Sequence, residues 1–122
     1  MPKFASNDVL DGSLAVASSA TRLVAVNGQP GSFAAANAGK LAEATLTGGD
    51  FSLAPGDVSG RKVTVAAKSG LAVIAAGTAD HVALLDIAGS RLLYVTTCPA
   101  QALVGGGTVS IAAWSIEIGA PV

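Results

Sequence analysis

The spacing of apolar residues changes once, early in the chain. Between Ser6 and Ser19 (SNDVLDGSLAVASS) the apolar positions Val9, Leu10, Leu14 and Val16 follow an approximate 3.6-residue period, which predicts a short helix over about residues 6–19. Ser6 or Asn7 can cap it, and Asp8 suits the positive end of its dipole. Gly12 weakens it by about 1 kcal/mol relative to Ala. From Arg22 onwards the period is two. Arg22–Val26 reads as a strand, closed by the turn formers Asn27-Gly28-Gln29-Pro30-Gly31. The Ala-rich run Phe33–Gly39 fits neither period, and no element is assigned to it; the N-terminal helix is the one helix expected.

Leu41, Glu43, Thr45 and Thr47 alternate with Ala42, Ala44 and Leu46, as in a strand with one solvated face. Gly48-Gly49-Asp50 turns the chain into Phe51–Leu53, and Ala54-Pro55-Gly56-Asp57 turns it again. Arg61–Ala67 alternates with Val63 and Val65 inward and Lys62 and Thr64 outward. Ser69-Gly70 reads as a tight turn into Leu71–Ala76, and Gly77-Thr78 as a break before Asp80–Asp86. The latter and Arg91–Thr97 make an antiparallel hairpin across Ile87–Ser90. Cys98-Pro99 is expected to end that strand, because proline cannot donate to a central ladder. Gln101–Val104 is then a brief strand before Gly105-Gly106-Gly107.

In the last run, Thr108–Ile118, Val109 and Ile111 share one parity while Trp114, Ile116 and Ile118 share the other. A side-chain period of two cannot turn both sets inward, so a bulge or break is predicted at Ala112-Ala113. Short strands at roughly 8–12-residue spacing predict an all-β fold: an antiparallel β-sandwich, jelly-roll-like, with one short N-terminal helix. A single domain over 1–122 is expected, its strands running from about 22 to 118. No repeat of about 20–50 residues suggests a solenoid.

Composition narrows the function. Of 122 residues, 51% are hydrophobic and 12% charged, against roughly 25% charged in ordinary soluble domains. Disorder is excluded for most of the length. A formal net charge of −1, with no basic stripe, argues against nucleic-acid binding. The N-terminus lacks a signal-peptide apolar region, and the longest apolar run, Leu71–Ala76, is too short for a membrane span. A soluble chain made in the cytoplasm is expected. So little charge also leaves a lone monomer poorly coated, which implies burial against copies of itself or other proteins.

Candidate chemistry is sparse. His81 is the only histidine; a hydrolytic triad would need it with Asp80 or Asp86 and a serine, but no Gly-x-Ser-x-Gly elbow is present. His81 reads instead as a strand-edge residue with a local hydrogen bond. Asp50, Asp57, Asp80 and Asp86 each stand beside a turn and match no calcium-loop spacing. Gly105-Gly106-Gly107-Thr108 lacks the Lys of a phosphate-binding loop. Gly60-Arg61-Lys62 is too small a positive spot to track a polynucleotide. The lone Cys98 reads as a small buried hydrophobe. Tyr94 and Trp114 could stack on a sugar, but Trp114 shares its face with Ile116 and Ile118 and is expected to fill the core. No enzyme, no catalytic, metal or cofactor residue, and no cofactor is expected.

The stretches GDVSGRKVTVAAKSG (Gly56–Gly70), GTADHVALLD (Gly77–Asp86) and LLYVTTCPAQALVGGGTVSIAAWSIEIGAP (Leu92–Pro121) resemble a family of small virion proteins of tailed bacteriophages and prophages, as does the opening ASNDVLDGSL (Ala5–Leu14). The resemblance covers most of the chain, Phe33–Gly39 excepted, and contains no catalytic motif. It implies a structural virion protein, a head decoration or cement protein first and a tail or tail-fibre component second, which contacts the major capsid protein and its own copies. A carbohydrate-binding β-sandwich is the alternative from another class. Nucleic acid and membrane are not expected partners.

Overall fold

The computed structural model describes residues 4–120. Helix α1 spans Asn7–Ala17. Ser6, in extended conformation, caps it by accepting a hydrogen bond from the Val9 N–H at 3.3 Å. Leu10 and Leu14, four residues apart, are its buried pair, whereas Val9 and Val16 face outward. The apolar stripe is thus narrower than the sequence suggests. Asp11 on the flank of α1 accepts from Arg61 Nε at 2.8 Å, tying the helix to a strand of the second sheet.

Strands β1 (Arg22–Val26), β2 (Ala42–Thr45), β6 (Gly77–Asp86) and β7 (Arg91–Leu103) form an antiparallel sheet in the order β2-β1-β6-β7. A second sheet has the order β3-β4-β9, from Phe51–Pro55, Arg61–Val65 and Trp114–Ile118. Strands β5 (Lys68–Ala72) and β8 (Thr108–Ile111) pair separately. The chain is therefore mostly β and antiparallel. Leu23 and Leu84 from the first sheet meet Val63, Val65 and Ile116 from the second in one buried cluster, with Leu14 of α1 beside them.

The opposite face of the first sheet explains the unbroken apolar run in β1. A second helix, α2 (Phe33–Ala38), covers Val24, Val26, Ala83 and Leu85 with Ala36, so β1 is buried on both faces. This helix occupies the segment for which sequence offered no element. Poly-alanine carries no polar/apolar contrast to set a period, but Ser32 caps it, accepting from the Ala35 N–H at 3.1 Å.

Several boundaries differ from expectation, among them the end of the Leu71–Ala76 run, since β5 stops at Ala72. Ser69-Gly70 is not a turn: β5 runs through it with a register shift between Lys68 and Leu71, made possible by Gly70 at φ +66°. Gly77-Thr78 opens β6 instead of breaking it, and Pro55 closes β3 instead of lying in a turn. Cys98-Pro99 does not stop β7, which continues to Leu103. Pro99 is tolerated because β7 is the outermost strand and because the register shifts between Ala79 and His81, leaving Cys98–Ala100 opposite Asp80 alone. The break at Ala112-Ala113 is present: there the chain leaves β8, paired to β5, for β9, paired to β4. No helix among the described residues is long and apolar enough to cross a membrane.

Candidate functional site

The residues singled out for chemistry do not converge. His81 lies mid-way along β6, an interior strand paired to both β1 and β7, and not at a strand start. Its Nδ1 is 2.7 Å from Asp80 Oδ1, the local bond expected of it. The same Asp80 oxygen accepts from the Gly28 N–H at 2.7 Å, so the carboxylate clamps the 27–31 turn to the start of β6. The His81 hydrogen bond, then the Gly28 amide, hold the Asp80 carboxyl below its ordinary value. No serine hydroxyl among the described residues is hydrogen-bonded to His81, and no triad is assembled.

The other acids serve turns and ion pairs. Asp50 accepts from the Thr47 N–H at 2.8 Å and from Lys68 Nζ at 2.8 Å; the lysine bond is the main cause of its lowered pKa. Asp86 accepts from the Gly89 N–H and from Arg91, which lower its pKa in that order. Asp57 takes Lys62 Nζ at 2.6 Å, while Glu117 accepts the Asp57 N–H. Glu43 is held low by Lys40 and Arg22. Among the described residues no three His, Cys, Asp or Glu side chains group as metal ligands. Gly105-Gly106-Gly107 is a turn, with Gly106 at φ +84°.

A groove of about 780 Å3 runs along β7. Its walls are the second half of β7 on one side and β8, Ala112-Ala113 and the start of β9 on the other; Thr96, Cys98, Leu103, Val109, Ile111 and Trp114 line it. Trp114, expected in the core, is half-buried: it packs against the shared cluster and also faces this groove. It stacks on Tyr94 at a centroid distance of 6.0 Å and an interplanar angle of 23°. Each ring thereby uses one face on the other, which reduces the platform available to a sugar. The Trp114 Nε1 is buried with no acceptor among the described residues. Cys98 is half-buried at the groove, and burial, with Asp80 nearby, raises its thiol pKa.

Sequence reading did not point to this surface, yet one signal was available. From Leu92 to Ile116 the chain holds no Asp, Glu, Lys, Arg or His, 25 residues in succession. That uncharged segment supplies nearly the whole groove, and Val104 at its rim is 72% exposed. Chemically the surface offers apolar contact, hydroxyls and main-chain groups, and no titratable pair for proton transfer.

No family profile, curated protein or solved structure matches the chain.

Proposed function

We propose that this chain is a structural virion protein of a tailed bacteriophage, acting through protein–protein contacts as a head decoration or cement protein. The observation that carries the proposal is the uncharged surface of residues 92–116, which suits packing against protein and suits catalysis or polyanion binding poorly. It falls within the stretches that resemble the phage family. Within this proposal the two sheets that share the buried cluster are the layers of a β-sandwich, jelly-roll-like in its short antiparallel strands. Multiplication over many lattice copies would convert weak single contacts into firm attachment.

The test is to delete the gene from the phage and compare virions by electron microscopy, with immunogold labelling of the wild-type particle. Label on the head, and heads that lose surface density or burst more readily without the protein, are expected. An unchanged, unlabelled head overturns decoration; label at the tail assigns the protein there instead.

A further inference from the structure

β7 is the outermost strand of the order β2-β1-β6-β7, so over Arg91–Leu103 it pairs with β6 on one side and, among the described residues, with no strand on the other. A free edge is a template for another strand, and proteins normally blunt such edges with charge, proline, bulges, shortness or a covering segment. Each other edge among the described residues carries such a device. The outer edge of β2 is covered: Ala42 bridges Val73, and the Ile74 N–H donates to the Leu41 carbonyl at 2.7 Å. β3 ends on Pro55, β5 carries Lys68 and its register shift, β9 carries Glu117, and β8 is four residues long.

On β7 these devices sit at the ends. Arg91 opens the strand, with its guanidinium held by Asp86 at 2.9 Å. Pro99 and the register shift against β6 lie near the other end. Between them Leu92–Cys98 is seven residues without charge or proline. The burial along it is that of an interior strand left uncovered. Ala83, Leu84 and Leu85 on β6 are fully buried, whereas Leu92, Tyr94 and Val95, which pair with them, are only half-buried.

We propose that Leu92–Cys98 pairs antiparallel with the same segment of a second copy of this chain, joining two four-stranded sheets into one of eight. The absence of charge on Leu92–Cys98, matched by the same segment of a second copy, points to the occupant. A charged partner finds nothing on this edge to pair with, while a second copy presents a segment equally free of charge. A two-fold antiparallel ladder also places the two Arg91 side chains at opposite ends, so no like charges meet. The inference stands on topology and charge, independent of the virion proposal: a dimer without a virion phenotype, or a phenotype without a dimer, separates the two.

Sedimentation velocity on the purified chain at about 100 µM, a range in which a weak specific dimer is populated, should give twice the 11.8 kDa monomer mass. Thr97 is exposed, so Thr97→Lys should fold as wild type while placing a gatekeeping charge on the edge, weakening association at least about tenfold; Thr97→Ser should retain it. Amide hydrogen exchange on the wild type gives a second measurement that needs no variant: protection over Leu92–Cys98 should rise with protein concentration. A wild type that stays monomeric, a folded Thr97→Lys chain that associates equally well, or concentration-independent exchange over Leu92–Cys98 overturns the proposal.

Discussion

Gly60 permits a direct calculation of how much one methyl group can disturb this fold. It closes the turn between β3 and β4 at φ +71°, and its carbonyl accepts the Gly56 N–H at 2.9 Å. A Cβ there would fall on the Ile118 carbonyl, the residue that pairs with Arg61 at the β4–β9 junction. Gly60→Ala therefore incurs about 1–2 kcal/mol for the left-handed conformation alone. Relieving the overlap must also shift the end of β9, weakening the Gly56–Gly60 bond and the Ala120–Ser59 bond of 3.0 Å. At about 1 kcal/mol for each bond lost, the sum is about 3–4 kcal/mol. Gly12→Ala is the internal control. It lies mid-helix, its added Cβ meets nothing within 4 Å, and its removal should stabilise by about 0.8–1 kcal/mol. Urea unfolding of the three proteins, compared by midpoint at constant slope, gives the answer. Equal midpoints for Gly60→Ala and wild type, or a lower one for Gly12→Ala, would refute the reasoning.

Other outcomes are as definite. Leu84→Ala, at the centre of the cluster shared by both sheets, should cost about 2.7–5 kcal/mol by thermal or urea unfolding. Trp114→Phe removes a buried N–H that has no acceptor and keeps an aromatic ring for Tyr94, so its stability should fall by less than about 1 kcal/mol or rise, whereas Trp114→Ala should lose clearly more in the same assay. Asp50, Asp80 and Asp86 have folded pKa values lowered from 3.8, so their contribution is fully present above about pH 4 and is lost as pH falls through the folded values. Asp50→Asn should accordingly flatten the acid limb of a stability–pH profile. Cys98, its thiol pKa raised by burial and then by Asp80, should react with a disulfide reagent at pH 8 more slowly than in urea, and Asp80→Asn should speed the folded-state reaction.

The parts legible in the sequence are those decided by neighbours a few residues away. The Ser6 cap and the Leu10–Leu14 spacing announce α1; Val63 and Val65 announce the inward face of β4; the parity change at Ala112-Ala113 announces the passage from one sheet to another. What stayed hidden depends on distant pairing. Whether Pro99 ends a strand depends on whether that strand is interior or outermost, and only the order β2-β1-β6-β7 decides it. His81, expected at a strand start, lies mid-strand because β6 already begins at Gly77, paired there with Leu103 of a strand far along the chain. The groove was illegible because its two walls come from separate strands, although the charge-free stretch that builds it is visible in the one-letter string.

The passage at Ala112-Ala113 has a consequence for the order in which the chain can mature. β4 finds one neighbour, β3, within a few residues, but the other, β9, is separated from it by the whole of β5 to β8. A nascent polypeptide extended only as far as Gly107 holds Val63 and Val65 with one flank bare. Closing that flank is a long-range loop closure, slow by topology and exposed to sticky encounters while it waits. Co-translational chaperones would therefore meet this chain with its second layer still open, and the arrival of residues 114–118 is the event that seals it.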